Sequence, residues 1–427
     1  MSPVLFNLYL ADLSRELSTK CPMVQLGKVK INHLLFADDL ILVSSGQGQD
    51  MNSLIKITSG YCEQWKLRIA PGKTKIMQCG GNQGTWRLPN TTRTGFDILK
   101  EDPFAKYLGI DLEPRARNYC KRRVEKVLRI ARDYATALRH LSTDSLDRVE
   151  VALALWKSCA LSSILYASET VCFTKTDLNK LDAIQCGVAR KICQVDNSTG
   201  GVASLIETGL TPLSILIKVK KLKFYFNTKE LGDTRLVKQA LNENMSGNWK
   251  SKFMSGIEAT LSEYEDCDPD ELQQTWTSEF FESELERCFK SLCIFPRNYD
   301  IGVRSEFLND SWQSGVLCSF RAGNACLGNR APTPRGITLK VCILCKELGK
   351  EVLVNELHLV LCCPFLESLR QDIGLRKTMD RLSNLYRTKN KVSLVRLFLG
   401  EDQADKEELF SRAIMLERLR TKWYNLV

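Results

Sequence analysis

Apolar and polar positions alternate along residues 28–36, KVKINHLLF, with Val29, Ile31, His33 and Leu35 on one face and Lys30, Asn32 and Leu34 on the other. A period of two predicts a strand. The run LILV at 40–43 predicts a second, more deeply buried strand. Ala37-Asp38-Asp39 joins the two too briefly for anything but a hairpin. Upstream, residues 2–17 have the spacing of an amphipathic helix, with Ser2 as its cap and Pro3 in its first turn. Downstream, Met51, Leu54, Ile55, Thr58, Tyr61, Cys62 and Trp65 fall at helical spacing, predicting a helix over 50–66 with Asp50 as cap. LRIAPGKTKIM, 67–77, reads as strand, Pro71-Gly72 turn, strand. FAKYLGIDLE, 104–113, reads as a further hairpin. Helix, hairpin, helix and strands in this order predict an α+β layer.

From Arg115 the pattern changes to a period of 3.6. Residues 116–140 predict a basic helix with Val124, Val127, Leu128, Ala131, Tyr134 and Leu138 on one face. Further helices are predicted at about 144–168, 176–194, 201–208 and 212–231. Residues 232–300 are polar, acidic and weakly periodic, and read as a variable insertion or linker with some helix. The last part, 301–427, holds a Pro/Gly-marked loop at 328–337, a Cys/His cluster at 342–363 and a final helix over about 404–425. The expected organisation is an α+β segment at 1–113, a helical region at 114–231, the acidic linker at 232–300, and a C-terminal region at 301–427.

The 427 residues suffice for two or three cores. Apolar content of 44% and charged content of 26% are those of an ordinary globular chain. The net charge of +10 matters mainly for where it lies: Arg115–Arg139, Lys218–Lys223 and Arg412–Lys422 are basic, and Glu263 to Glu286 is acidic. Such an excess favours a polyanionic partner. The N-terminus lacks the basic and small-residue regions of a signal peptide. No run approaches eighteen uncharged apolar residues. The expectation is an intracellular protein, nuclear or cytoplasmic, without a membrane partner. In a reducing compartment its 17 cysteines are free thiols or metal ligands rather than a disulfide framework.

The pair Asp38-Asp39 is the first candidate chemistry. Two divalent cations can run phosphoryl transfer when carboxylates hold them, and magnesium takes hard oxygen ligands. A hairpin fixes such ligands rigidly, and adjacent side chains diverge, so Asp38 can face the cations while Asp39 supports them. Taken alone, Asp-Asp in a hairpin is a solvated turn more often than a site. Its neighbours change that balance. SPVLFNLYLADL, then FADD between apolar strands, then LRIAPGKTKIM, then KYLGI resemble, in order and spacing, the palm of reverse transcriptases from non-LTR (LINE-type) retrotransposons.

The resemblance implies a metal-binding role for Asp38 and Asp39 after Phe36 and Ala37. It places Lys73 near the triphosphate and makes Tyr107, Leu108 and Gly109 the hairpin that supports the primer end. Ala70 stands where the family often has Asn. The family carries another catalytic Asp on a strand upstream of the segment matched by Ser2-Pro3. Met1 precedes that segment directly, and Asp12 is on a helix on the wrong side of it. The expectation is therefore an incomplete palm, from a truncated copy or partial gene model, inactive as a polymerase alone.

Cys342-x2-Cys345 is followed after twelve residues by His358-x4-Cys363. Two thiolates from a tight turn and two ligands from a helix can complete a tetrahedral zinc site. Cys362 competes with Cys363: four residues from His358 suits a regular helix better than five. Pro364 ends that helix and resembles the family's His-x4-Cys-Pro, which favours Cys363. Arg321-Ala322-Gly323 also resembles the family's C-terminal segment. The zinc is expected to be structural.

Arg115, Arg117, Lys121, Arg122, Arg123 and Lys126 lead a basic helix that directly follows the Tyr107 hairpin. In polymerases of the family a helical thumb there grips the template–primer backbone, through contacts that are sequence-independent and salt-sensitive. Phe224, Tyr225 and Phe226 could stack bases, but in an amphipathic helix they read as core. His33 and His140 receive no role. The implied partners are an RNA template, a DNA primer or target and a deoxynucleoside triphosphate; the implied cofactors are Mg2+ and Zn2+. The competing expectation is a non-catalytic nucleic-acid-binding protein using the basic helices and the zinc segment, and a third is a retroelement relic.

Overall fold

The computed structural model describes residues 3–45, 48–77, 86–89, 96–99, 105–112, 116–138, 148–193, 195, 197, 200–246, 252–261, 268–288, 316–317, 320–321, 342–350, 352, 357–388, 390–401 and 406–426. Contacts divide the chain into two compact units. One comprises Met1–Lys126, Ala167–Phe173 and Lys221–Asp266; the other comprises Val127–Tyr166, Thr174–Lys220 and Cys267–Val427.

In the first unit, α1 spans Pro3–Lys20 and α2 spans Gly48–Gln64. Leu10, Leu13 and Leu17, spaced three and four apart, line one stripe of α1 and pack with Leu54 and Tyr61 of α2. The Tyr61 hydroxyl donates to the Tyr9 carbonyl at 2.5 Å. Between the helices lie two hairpins. β1 (Val24–Leu26) pairs antiparallel with β2 (Val29–Ile31), and β3 (His33–Phe36) with β4 (Asp39–Leu42).

The strand expected over 28–36 is therefore two strands, broken at Asn32. Asn32 is buried, and its side-chain amide donates to the Leu17 carbonyl at 2.8 Å. Its carbonyl accepts from Val43 N–H at 2.8 Å. The Asn32 amide group is donating, so its oxygen is free to accept from Nδ1 of His33, 2.7 Å away. A neutral His33 must then accept at Nε2 from the Ser14 hydroxyl, also 2.7 Å away. Burial lowers the His33 pKa, favouring that neutral form. The ring holds α1 against the hairpin.

Residues 67–77 do not form the expected strand pair. The turn at Pro71-Gly72 is present, but the Ala70 carbonyl accepts from Lys73 N–H (3.0 Å), Thr74 N–H (3.0 Å) and the Thr74 hydroxyl (2.9 Å). These local bonds curl the backbone and compete with extension. Ile69 and Ile76 still pack beside Ile55. A hairpin the alternation did not signal pairs β5 (Trp86–Pro89) with β6 (Phe96–Leu99). The expected last hairpin is present as β7 (Ala105–Tyr107) and β8 (Ile110–Leu112). Leu108 and Gly109 fill its two-residue turn with φ of 47° and 77°, the two positive values that a primed hairpin turn requires. The basic helix α3 runs Ala116–Ala137 and buries Val124, Val127, Leu128, Ala131 and Ala135.

In the second unit, α4 (Arg148–Leu155) passes through a π-helical stretch, Trp156–Leu161, into α5 (Ser162–Leu165). The stretch Val151–Thr170 is long and apolar enough to cross a membrane by composition. Within the protein 39% of its apolar window is buried, with Trp156, Ala160 and Ile164 fully so and Val151, Leu155 and Tyr166 exposed. α6 (Lys175–Ile192) opens with a capping box in which Thr174 and Asp177 exchange side-chain and backbone bonds. α7 spans Gly201–Thr208 and α8 spans Leu213–Glu230. Asp182 of α6 accepts from Ser214 N–H at 2.9 Å, so a carboxylate from another helix caps α8.

The segment expected as a linker with some helix is largely helical where described: α9 Leu236–Ser246, α10 Lys252–Leu261 and α11 Pro269–Cys288. Each is anchored by few apolar residues, such as Leu241, Met254 with Ile257, and Leu272 with Phe281. Such sparse anchors explain the weak periodicity. The C-terminal helices Leu375–Leu385, Lys391–Arg396 and Lys406–Leu426 enclose Leu359, Val360, Leu366, Met379, Phe398 and Leu416. The loop expected at 328–337 lies outside the described residues.

Candidate active-site hairpin and candidate metal centre

Asp38 lies at the exposed tip between β3 and β4. The register pairs Phe36 with Asp39 and leaves Ala37 and Asp38 as the turn. Ala37 sits at φ 50°, a left-handed conformation that costs an L-residue about 1–2 kcal/mol. Behind the tip, Leu35, Leu40 and Leu42 pack on the α1–α2 core, and the alternation turns Phe36 outward at 61% exposure. The carboxylates thus project from a hairpin held by its apolar face.

Tyr107 belongs to the same setting. Burial, and then the nearby negative charge of Asp39, push its phenol above the ordinary range. The Tyr107 phenol is therefore within electrostatic reach of Asp39. Lys73 lies exposed in the Pro71–Lys73 turn, and among the described residues no ion pair joins it to Asp38 or Asp39. Among those residues, the three-or-more groups close enough to share a cation do not include this carboxylate pair.

The cations of α3 divide by direction. Lys121, Arg122, Arg129 and Arg132 are exposed. Arg123 is buried, at 5% exposure, on the face that carries Val124 and Val127. The Lys126 ammonium lies 3.3 Å from Asp111 and 3.5 Å from the Gly109 carbonyl, so it ties α3 to the hairpin. Arg123 does not face outward as a phosphate contact would, because the 3.6-residue period turns it toward the protein, while Lys126 stays partly exposed with its ammonium on Asp111. Arg117 stands at the start of α3 without a described side chain, and Arg115 lies outside the described residues.

The Cys/His cluster assembles as the spacing predicts. One ligand atom each from Cys342, Cys345, His358 and Cys363 lie within 4.8 Å of one another, and all four residues are buried. Cys345 Sγ is 3.4 Å from His358 Nε2. The Cys345 carbonyl accepts from Leu348 and Lys350 N–H, both at 3.1 Å, folding the tight turn that presents the first two thiols. Cys342 N–H donates to the Val352 carbonyl at 2.8 Å.

His358–Cys362 is one π-helical turn rather than an α turn, and Cys363 N–H donates to the His358 carbonyl at 2.7 Å. In this wider turn the residue five along comes round to the His358 side as well. That is how Cys363 joins the cluster. Cys362 is half-buried, with the Lys391 ammonium 3.8 Å from its sulfur.

Burial and the neighbouring thiols of Cys342 and Cys363 push Cys345 up to about 12. Burial and Cys342 raise Cys363 as well. Burial, then the positive charge of Arg370, lower His358. Three crowded thiols and a neutral imidazole are a donor set that a soft divalent cation would relieve. Zinc bonds of about 2.0–2.3 Å place tetrahedral ligand atoms within roughly 4 Å of each other, so the residues fit that ion.

Three arginines that composition did not single out as site residues support this end of the chain. Arg370, at 1% exposure, donates to the carbonyls of Leu359 (3.2 Å) and Cys363 (2.6 Å) and to Glu367 (2.7 Å). Hydrogen bonds from Arg376 and Arg370 hold the Glu367 carboxyl down to about 2. Arg412 donates to the carbonyls of Leu397 (3.0 Å) and Phe398 (3.2 Å), satisfying a second π-helical turn. Arg321 meets Glu207 at 2.9 and 3.0 Å and the Leu399 carbonyl at 2.8 Å, with both charged groups buried. A basic residue amid hydrophobic neighbours was the signal available, as at Leu369-Arg370 and Phe320-Arg321.

The segment that ends at β8 contains both the carboxylate hairpin and the Tyr107-Gly109 turn. This segment, residues 1–112, matches the family model of the reverse transcriptase (RNA-dependent DNA polymerase).

Proposed function

We propose that this chain belongs to a non-LTR-type, RNA-directed DNA polymerase. In this reading, 1–113 is part of a palm, 114–231 is thumb-like, and 301–427 carries a structural zinc site, with 232–300 an acidic insertion. The observation that carries it is the family match over 1–112 together with the Asp39–Tyr107 proximity. In this reading the carboxylate tip works with the turn expected to support a primer end. Asp38 and Asp39 offer oxygens of the kind magnesium takes, but two carboxylates are too few for a two-cation site. Polymerisation therefore needs a further carboxylate, and the chain by itself is catalytically weak or silent.

The Cys342–Cys345–His358–Cys363 set leaves no open position, so its zinc contributes folding energy rather than chemistry. Lys121, Arg122, Arg129 and Arg132 grip the phosphates of a primer–template duplex. Partners are an RNA template, a DNA primer and deoxynucleoside triphosphates.

A second reading, a non-catalytic nucleic-acid-binding protein, rests on the same exposed cations of α3. Two experiments test and separate the readings. Primer extension on an RNA template, with Asp38→Ala as control, should give only background incorporation. Strong Asp38-dependent incorporation would overturn the ligand shortfall. Filter binding of a primer–template should weaken steeply with salt, and no binding at low ionic strength removes both readings. A matched deoxynucleotide should tighten that complex in the parent chain but not in Asp38→Ala; equal binding with and without it favours the second reading.

A further inference from the structure

We infer that Arg370 is a positioning residue that selects which of two adjacent cysteines ligates the metal. The inference rests on the zinc reading given above. His358 is followed by Cys362 at four residues and Cys363 at five. An α-helical turn brings only Cys362 to the His358 side, whereas the wider π turn brings Cys363 round to that side as well, and Cys363 then leaves the helix in an extended conformation. The chain therefore carries two metal registers, and the backbone hydrogen-bond pattern decides between them. The observed register is the π turn closed by Cys363 N–H and His358 C=O at 2.7 Å.

A π turn changes which carbonyls the helix satisfies internally, and buried carbonyls need partners. Arg370 is the partner of Leu359 C=O, and it joins Leu366 N–H (3.2 Å) on Cys363 C=O. Its guanidinium donates to Leu359 C=O at 3.2 Å, inside the turn, and to Cys363 C=O at 2.6 Å, just after it. Glu367 holds the guanidinium in place at 2.7 Å, and Arg376 holds Glu367 from the other side at 2.7 Å. A planar fork with several fixed donors suits two carbonyls at different heights; a lysine ammonium does not. Cys362 is turned away from the cluster, toward Lys391. Arg370 touches no ligand sulfur or ring in these bonds. It acts through the backbone that aims Cys363.

The test uses the full chain, with cobalt(II) as spectroscopic probe and zinc competition against a chromophoric chelator for affinity. In the parent, Cys363→Ser should abolish the three-thiolate cobalt spectrum, and Cys362→Ser should leave it unchanged. Arg370→Met should lower zinc affinity about 10–100-fold, the usual effect of losing a group that orients a ligand. In the Arg370→Met background the two serine variants should become similar, because Cys362 can then take the fourth position. Glu367→Gln keeps the guanidinium but removes its anchor, and should weaken zinc several-fold with the helical circular dichroism unchanged.

Persistence of the parent's strict Cys363 preference in Arg370→Met overturns the inference. If Arg370→Met does not fold, Glu367→Gln decides, and unchanged zinc affinity there overturns it. A parent chain that binds neither metal overturns the zinc reading and this inference together. A parent that binds metal with no register effect overturns this inference alone.

Discussion

The backbone amide of Cys363 donates to the carbonyl of His358 at 2.7 Å, five residues back. That single bond turns a helical end into a π turn and places a third thiol in the Cys342–Cys345–His358 cluster. The cluster then behaves as one unit, and its consequences reach into the pH dependence of the fold.

Stability of the metal-free chain should fall at alkaline pH through Cys345. Its pKa rises from 9.0 to about 12 on folding. Below 9 both folded and unfolded chains keep the proton, so nothing is lost. Between 9 and about 12 the unfolded thiol ionises while the folded one resists, and stability declines as pH rises. Thermal unfolding of chelator-treated protein across this window should show the decline. Cys345→Ser should reduce it, and zinc-loaded protein should lack it.

Asp38 stands exposed at a hairpin tip, so its side chain contributes little to folding. Asp38→Ala should change stability by less than about 0.5 kcal/mol, read from denaturant midpoints. It should nonetheless remove the deoxynucleotide-dependent tightening of primer–template binding. A large loss of stability would mean that the carboxylate has a structural partner instead.

The exposed cations of α3 and Lys126 should separate in a salt titration. Gln at Lys121, Arg122, Arg129 and Arg132 should flatten the slope of log affinity against log salt by up to about 0.9 per lost phosphate contact with a duplex. Lys126→Gln should leave that slope unchanged, since its ammonium sits 3.3 Å from Asp111. Its effect should instead be a lower unfolding temperature.

Glu207 and Arg321 form a buried pair at 3% and 4% side-chain exposure. Removing one partner strands the other charge. Arg321→Met or Glu207→Gln should each destabilise the chain by about 3–5 kcal/mol. The double variant Glu207→Leu/Arg321→Met should be less damaging than either single change, because no buried charge is left over. Chemical denaturation of the three variants checks this.

Local pattern alone determined much of this protein. The period of 3.6 located α1, α2, α3 and α6, since each buries a stripe of its own residues, whereas α7 is buried continuously from Ala203 to Thr208 and α8 on more than one face. Alternation, with the short Ala37-Asp38-Asp39 link between apolar strands, located the Asp38 hairpin. The segment FAKYLGIDLE marked the last hairpin. Cys-x2-Cys with His-x4-Cys marked the Cys/His cluster. These signals are legible because the partners lie within a few residues of one another.

Tertiary structure decided what depends on distant backbone groups. Asn32 breaks a run that alternates cleanly, because its amide finds the Leu17 carbonyl fifteen residues away. The Ala70 carbonyl draws in Lys73 and Thr74 and dissolves two expected strands. Arg123 and Lys126 look like their neighbours in composition, yet helix phase turns Arg123 inward and the Asp111 carboxylate engages Lys126. Cys362 and Cys363 differ by one position, and only the hydrogen-bond ladder around His358, with Arg370 on its carbonyls, separates them. A buried polar group must find a partner, and the chain's periodicity does not say where that partner will be.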